Sequence, residues 1–193
     1  MWMSDKPRTQ QQLARDLADL LHVCTSENFV NFADAFWKTM AREWNNIDAL
    51  RMDKFLYLVR CYVQDGFQYL RKKRWEKALM GQYVEVLEGV ALNVRDGKIP
   101  NGLRYHVIDI YVDELDKADE KDDAPLEELL KPLRKLGKES PTKAVKKRVA
   151  EALEDERLED WKNRREVLSD GDEDDEDVEV GEGENGEFGG FDD

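Results

Sequence analysis

The chain has 193 residues, two cysteines and a formal net charge of −14, with 40% hydrophobic and 38% charged residues. That length and apolar content suffice for one domain with a real core. No run approaches the roughly 18 consecutive apolar residues that a bilayer-spanning helix needs, and the N-terminus lacks a basic stretch followed by an apolar one. The expectation is therefore a soluble, intracellular protein with no membrane partner. Charge is unevenly placed: residues 170–193 hold thirteen acids and no Lys or Arg, while the rest carries 31 acids against 30 bases.

Ser4 or Asp5 is placed to cap a first helix with Pro7 in its opening turn, where a missing N–H costs nothing. Leu13, Leu17, Leu20, Leu21 and Cys24 then line one face, and the helix ends near Thr25. Ser26 is the candidate cap of a second helix, in which Phe29, Phe32, Ala33, Phe36, Trp37, Met40 and Trp44 recur at three-and-four spacing. Asn45-Asn46 breaks that pattern, and a third helix starts around Asp48. It carries two apolar stripes, one of Met52, Phe55, Leu56, Val59, Val63, Phe67 and Leu70, the other of Leu58, Tyr62 and Tyr69. A helix apolar on two sides needs neighbours on both, which suits an inner layer of stacked antiparallel helix pairs.

Trp75, Leu79, Tyr83, Val86, Leu87 and Val90 mark a fourth helix, and residues 96–102 form a turn-rich loop. Val107, Ile108, Tyr111, Val112 and Leu115 mark a fifth, with a charged loop over 116–123. Pro125 opens a sixth, in which Pro132 predicts a kink or an early end. Ser140-Pro141 starts a seventh bearing Val145, Val149 and Leu153, after which Leu158 and Trp161 can fold back onto the body. The domain expectation is a helical-repeat-like body over 1–165 and a disordered acidic tail over 166–193, whose composition cannot repay ordering entropy.

Few residues suggest chemistry. Cys24 and Cys61 lack a CxxC partner, which argues against a disulfide framework or zinc site. His22 and His106 lack metal-ligand spacing and read as structural. Asp53, Asp109, Asp113 and Glu114 do not converge with a nucleophile or base, and there is no P-loop, GxSxG, HExxH or Gly-rich dinucleotide turn. The reading is a non-enzyme with no cofactor, no metal and no small-molecule substrate.

Two basic clusters stand out. Arg71, Lys72, Lys73 and Arg74 sit at a helix junction. Residues 131–148 hold Lys131, Arg134, Lys135, Lys138, Lys143, Lys146, Lys147 and Arg148 against Glu139, a net +7. Such clustering gives a local positive field suited to phosphate, and equally describes a solvated helix face. Either run also reads as a nuclear localisation signal. Trp44, at the edge of the aromatic stripe, is a candidate partner anchor, since aromatics dominate interface hot spots. Ser169, with Asp172 three residues on, resembles an acidophilic kinase site.

The string Phe36-Trp37-Lys38-Thr39-Met40-Ala41-Arg42-Glu43-Trp44-Asn45-Asn46-Ile47-Asp48, followed by Arg51-Met52-Asp53-Lys54-Phe55-Leu56, resembles the nucleolar ribosomal RNA processing protein one family. Upstream, Trp2-Met3-Ser4-Asp5-Lys6-Pro7 with Gln11-Gln12-Leu13-Ala14 looks like that family's other signature. The resemblance runs from Met1 to about Trp161. It implies an all-α fold of antiparallel helix pairs stacked as a HEAT-like array, although no fixed-period repeat is visible. It also implies a non-catalytic nucleolar scaffold in ribosomal RNA processing and large (60S) subunit biogenesis, partnered by pre-ribosomal RNA and other assembly factors. On that reading, the RNA-contact candidates are Arg71, Lys72, Lys73, Arg74, Lys135, Lys138, Lys143, Lys146, Lys147 and Arg148, acting by shape and backbone contact without base readout. Relative to the family, the chain starts at the Trp2 motif without the helical segment usually found before it and lacks an extended basic C-terminal region, as expected of a truncated sequence. The competing expectations are a helical protein adaptor without RNA contact and an acidic-tailed chaperone for basic ribosomal proteins.

Overall fold

The computed structural model describes residues 1–161, and within them all regular structure is helical. The tail predicted over 166–193 and Ser169 lie outside the described residues. Eight α-helices follow in order: α1 (Pro7–Asp19), α2 (Ser26–Glu43), α3 (Ala49–Lys72), α4 (Lys77–Gly89), α5 (Asn101–Ala118), α6 (Leu126–Leu129), α7 (Lys131–Glu139) and α8 (Lys143–Leu153). Short 3₁₀ turns at Leu20–Val23 and Trp44–Asn46 extend α1 and α2. Residues 156–161 are helical again.

Three pairs are two helices apart in sequence, α1 on α3, α3 on α5 and α2 on α4; beyond them α5 packs on α8, α4 on α7, and α7 on its neighbour α8. Two layers result, as expected for stacked helix pairs. Aromatic rings join them. Phe29 stacks on Tyr69 at 4.0 Å between centroids, Phe36 on Tyr62 at 3.5 Å, and Phe67 meets Tyr83 edge-on at 6.2 Å. Such pairs are worth about 0.5–1.5 kcal/mol beyond area burial. The central helix α3 therefore uses both predicted stripes, burying Leu58, Tyr62 and Tyr69 as well as Val59, Val63, Phe67 and Leu70.

The caps follow local chemistry. Thr25, rather than Ser26, accepts the Asn28 N–H at 3.4 Å, and Asp48 accepts that of Arg51 at 3.1 Å; such caps are worth about 1 kcal/mol each. The first helix departs from expectation, because Lys6 holds its N-cap position without a side-chain bond. Instead the Ser4 carbonyl accepts from Lys54 Nζ at 2.9 Å and from Gln10 at 2.7 Å. The buried face of α1 is also shifted: Ala14, Ala18 and Leu21 are fully buried, whereas Leu20 is 43% exposed. Small alanines let α1 approach α3 closely, and Leu21 continues their i, i+4, i+7 stripe into the 3₁₀ turn.

Pro132 does end a helix, but it also starts one. The α6 segment stops at Leu129 and Pro132 lies in the first turn of α7, where its missing N–H is tolerated. The fifth helix runs three residues into the predicted charged loop, ending at Ala118. Leu158 and Trp161 are buried, so the chain after α8 folds back as expected. Arg157 ties it there, bonding Asp113 at 2.8 Å and Asp116 at 3.3 Å on α5 and Asp155 at 2.7 Å.

Candidate functional site

The two strings that carry the family resemblance meet in space. Lys54 is only 6% exposed, and its ammonium donates to the carbonyls of Trp2 and Ser4 at 2.9 Å each. Arg51 lies 4.6 Å above the Trp2 ring and Phe55 sits 6.2 Å away. A buried ammonium is costly unless its donors are used, so the pairing of these strings is a fold requirement. Capping by Asp48 and this strap account for both charged residues without chemistry.

Trp44 lies inside. It is 5% exposed, and its indole Nε1 stands 2.9 Å from where a Cβ on Gly102 would be. Gly102, in the first turn of α5, is what lets the ring sit so close. Little of Trp44 therefore remains to meet a partner, and helical spacing alone could not show that α5 covers it.

The first basic cluster is the end of α3. Its last turn closes with the Trp75 N–H on the Leu70 carbonyl at 2.9 Å and the Arg74 N–H on that of Arg71 at 2.8 Å. These are the two bonds of a Schellman ending. Arg74 occupies its left-handed position at φ 54°, and Trp75 follows at φ 53°. Arg71 points back to α5, donating to the Ala118 carbonyl at 3.1 Å and pairing with Glu120 at 2.8 Å, which raises its pKa further. Lys73 lies 5.5 Å over the Tyr69 ring. Lys72, Lys73 and Arg74 are all exposed, and none has an ion pair among the described residues.

The second cluster spans α7 and α8 and is half compensated. Lys135 pairs with Glu88 of α4 at 2.5 Å, which raises its pKa, and Arg134 pairs with Glu127. Arg148 pairs with Asp109 of α5 and lies 4.8 Å over Tyr105, and Lys147 meets Glu151 at 3.3 Å. Lys146 donates to the Lys138 carbonyl at 3.1 Å, capping the end of α7. Lys131, Lys138 and Lys143 remain exposed without an ion pair among the described residues. Sequence counting registered the bases but not the acids that α4 and α5 bring opposite them.

Of the acids singled out in sequence, Asp53 is exposed, whereas Asp109, Asp113 and Glu114 are paired. Glu114 is fully buried, meeting Lys117 at 2.8 Å and Arg60 at 3.3 Å, while Asp113 serves Arg157 and Arg60. His106 Nε2 lies 2.8 Å from the Leu56 carbonyl, and burial lowers its pKa. His22, in the 3₁₀ turn, lies 3.7 Å from Asp65 of α3 with Asp19 nearby, a through-space grouping that spacing along the chain does not reveal. Cys24 and Cys61 are free thiols, and burial pushes Cys61 up to about 11. Among the described residues no helix is long and apolar enough to cross a membrane.

This is an all-α, two-layer array whose chief surface features are charged faces. The chain belongs to the Nop52 family of nucleolar proteins, whose model matches residues 1–187. It is similar to ribosomal RNA processing protein 1 homolog B of Homo sapiens, 38% identical over 123 residues that make up 63% of this chain and 16% of that protein. Homolog A of Mus musculus is 39% identical over 119 residues, 61% of this chain and 24% of that protein. The Caenorhabditis elegans homolog is 37% identical over 119 residues, 61% of this chain and 30% of that protein. The match thus spans less than a third of each of these relatives.

Proposed function

We propose that this chain is a non-catalytic scaffold acting in ribosomal RNA processing and large-subunit biogenesis, docked on pre-ribosomal particles. Its membership of a nucleolar family, with relatives named for ribosomal RNA processing, supports that role. The observation that carries the RNA contact is the trio Lys131, Lys138 and Lys143, exposed and uncompensated around α7 and the start of α8, with Lys72, Lys73 and Arg74 as a second such group. Backbone phosphate is the chemistry these points suit, because they offer charge without stacking rings or a bidentate fork aimed at a base.

Replacing Lys131, Lys138 and Lys143 by Gln removes charge at exposed positions and keeps a good helix former. Folding should be unchanged by circular dichroism. The slope of log affinity for ribosomal RNA against log salt should shrink by about 0.7–0.9 for each phosphate no longer neutralised, and co-sedimentation with large-subunit precursors should fall. Nucleolar entry is scored separately by fluorescence, since these bases also resemble a localisation signal. An unchanged slope in a variant that reaches the nucleolus removes the RNA contact. That result leaves the second reading, a protein adaptor, which the compensation of four of the eight bases by Glu88, Asp109, Glu127 and Glu151 favours.

A further inference from the structure

An open groove of about 690 Å³ runs between α2 and α4 on the face turned away from α3 and α5. Its floor is apolar, with Leu79 and Val90 buried and Val30 and Val86 half-buried. Its rims are acidic: Glu27 and Asp34 stand on α2, Glu76 and Glu85 on α4 and its N-cap. Among the described residues Lys38 is the one base lining it, and it is already held by Asp34 at 2.6 Å. Glu27, Glu76 and Glu85 are exposed and have no ion pair among the described residues. From Glu27 to Lys38 the α2 wall is about 17 Å long, three helical turns.

We propose that this groove docks a basic amphipathic helix of a protein partner. Charge selects the occupant. Three uncompensated carboxylates repel a phosphate backbone, and they equally repel the chain's own residues 170–193 with their thirteen acids. Helix walls offer no free backbone groups to an extended peptide, whereas a helix satisfies its own N–H and C=O groups. Apolar residues spaced i, i+3 or i+4, i+7 reach the Val30, Leu79, Val86 and Val90 floor over three turns, and flanking Lys or Arg meet the rims. The inference stands on the groove alone and does not need the ribosomal role or the RNA contact.

Gly89 supplies a clean plug. It lines the groove, a Cβ there would meet nothing within 4 Å, and its φ is not positive, so a side chain enters open space without backbone strain. The probe is a fluorescein-labelled Leu/Lys amphipathic peptide of about fourteen residues, long enough to form helix on the surface. Anisotropy is read with the full chain at about 150 mM salt, where exposed charges are screened beyond roughly 8 Å. Gly89→Trp and the double variant Glu27→Lys/Glu85→Lys should each weaken binding at least about ten-fold, with helicity and Tm unchanged. A peptide of identical composition, permuted to lose its apolar face, should bind at least about ten-fold more weakly.

The proposal is overturned if the probe does not bind, if both groove variants bind like the parent, or if the permuted peptide binds equally well. It is overturned also if an isolated peptide of residues 170–193 captures the probe as tightly as the protein does, which would make the acidic segment the binder. Should the variants change sedimentation of the protein alone, the groove is a contact between two copies and the partner helix falls.

Discussion

Gly66→Ala gives a sharp test of how α3 and α4 meet. Gly66 lies inside α3, where helix propensity alone favours Ala by about 1 kcal/mol. A Cβ there, however, would overlap the Tyr83 hydroxyl and stand 2.6 Å from the ring Cζ. Tyr83 is 1% exposed, with Phe29 at 5.4 Å and Phe67 at 6.2 Å between centroids, so the ring has little room to retreat. Overpacking of this kind costs about 1–3 kcal/mol, and an obstacle that is a packed ring puts it near or beyond the top of that range. The expected net loss is about 2 kcal/mol, which for a domain of this size lowers Tm by about 4–8 °C. Gly81→Ala is the internal control, because its Cβ meets nothing within 4 Å and should gain about 0.5–1 kcal/mol. Urea unfolding of both variants, compared at a common m-value, decides the matter. If Gly66→Ala is as stable as Gly81→Ala, the close seating of Tyr83 on α3 is wrong.

Arg74→Gly should raise stability by about 1 kcal/mol, because a non-glycine residue at φ 54° carries the left-handed penalty that glycine escapes. A thermal melt checks the gain, and any accompanying loss of RNA affinity would assign Arg74 to phosphate. Protonation of His106 should oppose folding, since burial lowers its pKa in the folded state. As pH falls through the unfolded value of about 6.5, the unfolded chain takes a proton that the fold disfavours, so stability declines. The stability of His106→Gln should fall less over the same interval, as read by urea midpoints at several pH values. An identical slope would place the titration elsewhere.

Helix positions were legible in the chain itself, because three-and-four spacing, Asp48, Pro7 and Pro132 act within a few residues of where they stand. The two stripes of α3 even announced its central place, since an apolar face on each side demands a neighbour on each side. The candidate site was legible only as composition. Lys and Arg could be counted over 131–148, but whether each base faces water or a carboxylate depends on what α4 and α5 bring from forty residues away, as Glu88 does for Lys135 and Asp109 for Arg148. Burial of Trp44 beneath Gly102, the lock of Lys54 onto Trp2 and Ser4, and the acidic groove between α2 and α4 are likewise products of packing. Local propensity and periodicity fix which residues are helical. Only the tertiary structure decides which charges are spent on each other and which are left for a partner, because pairing depends on distances that no spacing along the chain encodes.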